Sequence, residues 1–273
     1  MSASRSTSSA TSSRAGVTTT MRPEAAVFDF RVRLGPGADA LTRLLSTMDE
    51  CGIARAAVTA GGMLPLDRLA AQIIRGGHSD VVADNARVQA ASAASGGRLV
   101  PIYFVNPRSG VADYRDAAAG FAGVELSPAV HGVGLDDART AAVVRIAEQA
   151  GHSVYVVTLG RQGSRTADLV ALARTFPVVT FVLGHGGFLG IDTDAIAQVA
   201  AVPNILVETS GCFTEVARVA LDRLGPHRLL FGSEFPLQHP SVELAKYRCL
   251  NLPPADWARV AWHNAIRVLG SHT

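Results

Sequence analysis

Lysine is almost missing from this 273-residue chain: Lys246 stands alone, and the other fixed positive charges are arginines. Charge of either sign is sparse, at 18% of residues, with a formal net charge of +2. No basic cluster with interleaved aromatics occurs, so nucleic acid is not an expected partner. Cysteine is scarce and odd in number. Cys51, Cys212 and Cys249 lie far apart with no paired metal-ligand spacing. This argues against a disulfide framework and for free thiols in a reducing cytoplasm. No run reaches the roughly 18 apolar residues that a membrane span needs, so no membrane partner is expected either. No Gly-x-Gly-x-x-Gly follows the first apolar strand, which counts against an open dinucleotide-binding sheet.

What is present is apolar mass. Hydrophobic residues make up 48% of the chain, enough for a sizeable core. Residues 1–20 are rich in Ser and Thr, carry Arg5 and Arg14, and have no acidic residue and no apolar signal core. They read as a disordered tail.

The stretch Val27-Phe28-Asp29-Phe30-Arg31-Val32-Arg33-Leu34 opens the folded part as a strand. Strict alternation would put Asp29, Arg31 and Arg33 on one face and Phe28, Phe30 and Val32 on the other. Three charges on one face of a first strand are costly unless that face lines a site. Seven further strands are expected at residues 53–60, 98–105, 123–127, 154–158, 178–183, 205–209 and 228–231. Helices are expected at 40–51, 66–74, 79–94, 111–119, 136–150, 166–175, 194–200 and 214–224, and one or two more over 254–269. Eight strands alternating with helices, with no hairpin signal, imply a parallel sheet and a (β/α)8 TIM barrel over about residues 25–270.

In such a barrel, function sits at the C-terminal ends of the strands. Those ends carry Arg31 and Arg33, Glu125 and Ser127, Val157 and Thr158, His185, Glu208 and Ser210, and Ser233 and Glu234. His131 follows the fourth predicted strand in a loop over the same face; its plainer reading is a surface loop histidine. Glu208 could equally pair with a neighbouring arginine, and His185 could be a satisfied loop histidine between glycines.

The segments Phe-Val-Leu-Gly-His-Gly-Gly (181–187), 204–211, Leu-Leu-Phe-Gly-Ser-Glu-Phe-Pro (229–236) and His263-Asn264-Ala265 resemble, in that order, the amidohydrolase-related branch of the amidohydrolase superfamily. That branch holds metal-dependent hydrolases and decarboxylases, among them aminocarboxymuconate-semialdehyde and resorcylate decarboxylases, and also pyrone-dicarboxylate lactonase. Its first strand carries His-x-His as metal ligands; here the residues are Arg31-Val32-Arg33. Its fifth-strand histidine is here Val157, and its eighth-strand aspartate is Glu234. A guanidinium has no lone pair to offer a metal.

With the metal ligands replaced, the resemblance implies a metal-independent enzyme with no cofactor. Its substrate is expected to be small, anionic and cyclic. In this reading His185 and Glu234 are the acid/base pair, with Glu234 better suited as base and His185 as acid. Arg31, Arg33, Glu125, Ser127, His131, Thr158, Glu208 and Ser210 line the substrate. Hydrolysis, dehydration, cyclisation and decarboxylation all need that equipment. Two other readings stand beside it: a non-catalytic binding protein or partner subunit, and a metal enzyme with rebuilt ligands. The resemblance also allows a homodimer.

Overall fold

The computed structural model describes residues 26–270; the tail expected at 1–20 lies outside them. The strands are β1 (Val27–Leu34), β2 (Ile53–Ala60), β3 (Leu99–Pro101), β4 (Tyr103–Phe104), β5 (Gly123–Leu126), β6 (Ser153–Val156), β7 (Phe181–Leu183), β8 (Ile205–Glu208) and β9 (Leu229–Leu230). Every pairing among them is parallel, in the orders β1-β2-β3 and β4 to β9. β3 and β4 are one expected strand interrupted at Ile102. Ile102 N–H still donates to Val58 O and Ala122 N–H to Pro101 O, so both halves lie between β2 and β5. Phe30 N–H donates to Phe231 O (2.8 Å), Glu234 N–H to Arg31 O (2.8 Å) and Arg33 N–H to Phe235 O (2.7 Å). These bonds join the last strand to the first and close eight strand positions into the (β/α)8 barrel.

The helices are α1 (Ala40–Glu50), α2 (Leu66–Arg75), α3 (Asn85–Ala94), α4 (Val111–Ala117), α5 (Pro128–His131), α6 (Ala138–Ala150), α7 (Thr166–Thr175), α8 (Thr193–Ala200), α9 (Thr214–Leu224), α10 (Pro240–Leu250), α11 (Pro254–Ala258) and α12 (Asn264–Leu269). α6 shows why the end signals work. The Asp137 side chain accepts from Arg139 N–H at its start, and Gly151 takes a left-handed φ of 70° at its end. The helix expected at 79–94 starts only at Asn85, because Asp84 caps it by accepting from Arg87 N–H. Upstream, Ser79 N–H is bonded to Val130 O instead. No sequence signal marks α10, and the one or two helices expected at 254–269 are two, α11 and α12, joined by a wide turn at Arg259–His263.

The alternation expected in β1 fails, since its register shifts between Asp29 and Val32. Phe28 and Phe30 join the inner cluster of the barrel with Ala57, Val100, Ile102, Tyr155, Val182, Leu206 and Leu230. Val27, Val32 and Leu34 pack outward with the helices. Ala265, Val268 and Leu269 of α12 close the inner cluster from below, and Trp262 meets Phe28 edge-on at 6.0 Å. The lower barrel is therefore an apolar plug, and the charged side chains of β1 sit above it.

Candidate active site

Above the plug lies a layer of paired charges. Arg31 is 1% exposed. Its Nη1 and Nη2 donate to the two oxygens of Glu125 at 2.7 and 2.8 Å, and its Nε donates to Glu234 Oε2 at 2.5 Å. Its guanidinium also lies 4.2 Å from the centre of the Tyr155 ring. Arg33 repeats the pattern one step outward, donating to Glu234 Oε1 at 2.7 Å and Glu125 Oε1 at 2.9 Å. Its Nη1 has only the longer contacts to Ala60 O (3.2 Å) and Thr59 Oγ1 (3.5 Å). Burial works to raise the carboxyl pKa values here, but the two guanidiniums outweigh it. They hold Glu125 down at about 2, and Glu234 well below the usual carboxylate range.

A second chain of hydrogen bonds crosses β6, β7 and β8. Glu208 accepts from Tyr155 Oη (2.8 Å), Ser210 Oγ (2.9 Å), Ser210 N–H (2.5 Å) and His185 N–H (3.3 Å). Ser210 Oγ also lies 3.0 Å from His185 Nδ1. A hydroxyl has one proton, and this one points to Glu208, so Nδ1 donates to Ser210. In the neutral ring, Nε2 is then the lone-pair nitrogen. It lies 3.9 Å from Glu234 Oε2. The two histidine and glutamate loops are strained as well. His185 and Glu234 both have φ of 60°, and they are two of only four non-glycine residues with positive φ among the described residues. Such conformations cost about 1–3 kcal/mol and cluster at functional sites.

Beneath Arg31, Asp29 is fully buried. Its Oδ1 accepts from Arg31 N–H (3.0 Å) and Ser233 N–H (2.9 Å). Burial lifts its pKa to about 7 against the lowering effect of Ser233 and of these backbone bonds. Glycine makes room for the layer. A Cβ on Gly232 would run into Glu208 Oε1 and Arg31 Cβ, and one on Gly184 into the Tyr155 hydroxyl.

Of the residues singled out in the sequence, Arg31, Arg33, Glu125, Glu208, Ser210, Glu234 and His185 come together at the mouth. Arg31 is buried and each of its three guanidinium nitrogens donates to Glu125 or Glu234, so it is placed to hold those carboxylates rather than a ligand. Ser127, His131 and Thr158 are buried in the adjoining β5–β6 sector and make none of these bonds. His131 is not the surface loop residue of its plainer reading: it is 1% exposed at the end of α5. Asp29, read from sequence only as a charge on the site face of β1, anchors Arg31 and Ser233 from below, and Tyr155 has no sequence signal as a site residue. Tyr155 precedes the strand end, and no motif marks it.

The amidohydrolase family model matches residues 42–271. The chain belongs to the amidohydrolase family. Among solved structures, the fold matches a Pseudomonas putida protein assigned as a 2-pyrone-4,6-dicarboxylic acid hydrolase, at 16% identity and a TM-score of 0.68 over 90% of this chain and 98% of that one. It also matches the 5-carboxyvanillate decarboxylase of Sphingomonas paucimobilis, at 15% identity and a TM-score of 0.66 over 90% and 99%. A third match is the 5-carboxyvanillate decarboxylase of Novosphingobium aromaticivorans, complexed with manganese and 4-hydroxy-3-methoxy-5-nitrobenzoic acid, at 12% identity and a TM-score of 0.65 over 90% and 96%. No curated protein matches the chain.

The donor set of this amidohydrolase does not suit such a metal ion. Two guanidiniums stand at the head of β1, and their N–H groups already occupy the oxygens of Glu125 and Glu234. Among the described residues, no group of three or more His, Cys, Asp or Glu is placed to hold a metal.

Proposed function

We propose that this amidohydrolase acts without a metal on a small carboxylated ring compound, by proton transfer at His185. The observation that carries this reading is the hydrogen-bonded order Glu208–Ser210–His185, with Nε2 left as the acceptor beside the Glu234 carboxylate. His185 takes a proton from water or from the substrate. Glu234, kept ionised by Arg31 and Arg33, then faces the imidazolium and stabilises it. This reverses the division of roles expected from sequence. Glu234 is a poor base here because both its oxygens already accept from guanidiniums, and its low pKa disfavours protonation.

Arg33 is the better contact for a substrate carboxylate. Its side chain is 18% exposed and its Nη1 is only loosely held. The hydrolase and decarboxylase relatives, named for carboxylated rings, support that substrate class; hydrolysis, dehydration, cyclisation and decarboxylation all remain within it. The test is turnover of a panel of small cyclic carboxylates, lactones included, in the presence of a chelator. Turnover should persist, and His185→Asn should lower it by about 10²–10⁴-fold with folding unchanged. Turnover that requires added zinc or manganese, or an His185→Asn enzyme within a few-fold of the parent, would refute the reading.

One observation favours a second reading, a binding protein without turnover. The two arginines and two glutamates close on one another, which is what a retained but silent site would also show. The same panel separates the two, because this reading expects calorimetric binding with no product.

A further inference from the structure

The chain has one lysine, Lys246, and the fold buries it. It lies on α10, where helical spacing puts Glu243, Lys246 and Tyr247 on one face. That face meets the loop that follows β8, residues 209–212. An ammonium has three N–H groups, and three acceptors surround this one. Nζ donates to Thr209 O (2.6 Å) and Cys212 O (3.0 Å) and pairs with the Glu243 carboxylate. Glu243 Oε1 in turn accepts from Gly211 N–H (2.9 Å), and Tyr247 Oη lies 2.7 Å from Thr209 Oγ1. Three side chains of one helix thus hold three consecutive positions of the loop, at 209, 211 and 212, and leave Ser210 between them facing the mouth.

Ser210 is fully buried and offers His185 Nδ1 two acceptors, its Oγ at 3.0 Å and its backbone O at 3.4 Å. A backbone carbonyl can only accept, so the path of the loop itself favours a proton on Nδ1. The loop also packs on the one that carries His185. A Cβ on Gly186 would come 3.1 Å from Cys212 Cβ, and Phe213 N–H donates to Gly190 O at 2.8 Å. A buried ion pair is weak evidence for stability, since well-packed apolar residues of similar volume often serve as well. What Lys246 and Glu243 give that apolar side chains would not is directional bonds to the backbone on both sides of Ser210.

We propose that Lys246, with Glu243 and Tyr247, is a positioning residue for His185. It fixes the loop after β8 so that Ser210 holds the imidazole with its proton on Nδ1 and its lone pair on Nε2. The inference rests on the proposed function for the use made of Nε2; the tautomer itself is measured without any substrate.

Lys246→Met alone would strand the Glu243 carboxylate, so the test variant joins it to Glu243→Gln, which removes both charges. Nitrogen-15 NMR of histidine-labelled protein at alkaline pH reads the tautomer of each neutral ring. The His185 signals are those missing from His185→Asn. In the parent, Nδ1 should carry the proton. In the double variant the ratio of Nδ1–H to Nε2–H should fall about fivefold to tenfold, the worth of roughly one good hydrogen bond. In a turnover assay kcat should fall in step with the Nδ1–H population. Tyr114→Phe is the control for general loosening. It loses a buried 2.7 Å contact with His152, which precedes β6 at the opposite end of the barrel, and should leave the ratio at the parent value. Should the double variant not fold, Tyr247→Phe removes only the hydroxyl against Thr209 and should shift the ratio about twofold in the same direction. An unchanged ratio in the folded double variant, or in Tyr247→Phe where that variant does not fold, would overturn the inference. So would an equal shift in Tyr114→Phe. A parent ring with its proton on Nε2 would overturn the inference and the proposed function together. The expected shift, with no turnover of any ring carboxylate, supports the positioning role and counts against the proposed function alone.

Discussion

A guanidinium that is 1% exposed needs its charge answered inside the protein, and Glu125 and Glu234 accept one N–H from each of the three nitrogens of Arg31. Such networks are weak evidence for net stability, but breaking one member leaves a charge stranded. Glu125→Gln should therefore destabilise the fold by about 3–5 kcal/mol. A chain of this size would lose roughly 10 °C in unfolding temperature, read by calorimetry. The same carboxylates set the acid limb of stability. Glu125 is lowered from its ordinary 4.5 to about 2, so its contribution is present above pH 4.5 and fades as pH falls towards 2. Asp29 acts in the opposite sense. Its folded pKa is raised from 3.8 to about 7, so the folded state binds the proton more tightly and stability declines as pH rises across that window. Asp29→Asn keeps an oxygen for Arg31 N–H and Ser233 N–H but cannot ionise. Relative to the parent, it should gain stability steadily from pH 4 to pH 7 in denaturant titrations; a flat difference would mean that Asp29 does not titrate there.

At the scale of the element, the strand ends are where the sequence was most readable. Arg31, Glu125, His185, Glu208 and Glu234 were each visible as a polar residue closing an apolar run, and all meet at one mouth. The glycines beside them matter as much. Gly232→Ala places a methyl against Glu208 and Arg31, and should cost about 1–3 kcal/mol and disturb His185 through Glu208. Gly35→Ala meets nothing within 4 Å and should fall within about 0.5 kcal/mol of the parent. Equal unfolding temperatures for the two variants would contradict the packing described for the charged layer. The β1 register shift was not readable, because period-2 alternation assumes an unbroken ladder. The late start of α3 was also hidden. Residues 79–84 carry helix-compatible side chains, but the Ser79 bond to Val130 joins residues far apart in sequence.

Over the whole molecule, the eightfold alternation of apolar strands and helices was enough to reach the barrel, since it depends on local pattern. The closure of the charged layer was not, because Arg31 reaches Glu125 and Glu234 across separations of 94 and 203 residues. Nothing in either partner's neighbourhood announces the other. That closure also carries the proposed metal independence, because it sets two guanidiniums on the carboxylate oxygens that a metal would need. The most direct measurement is elemental analysis of protein purified from zinc- and manganese-supplemented growth, paired with unfolding temperatures with and without a chelator. The account predicts no stoichiometric metal and an unfolding temperature indifferent to chelation. About one metal ion per chain, with an unfolding temperature that falls when it is removed, would contradict it.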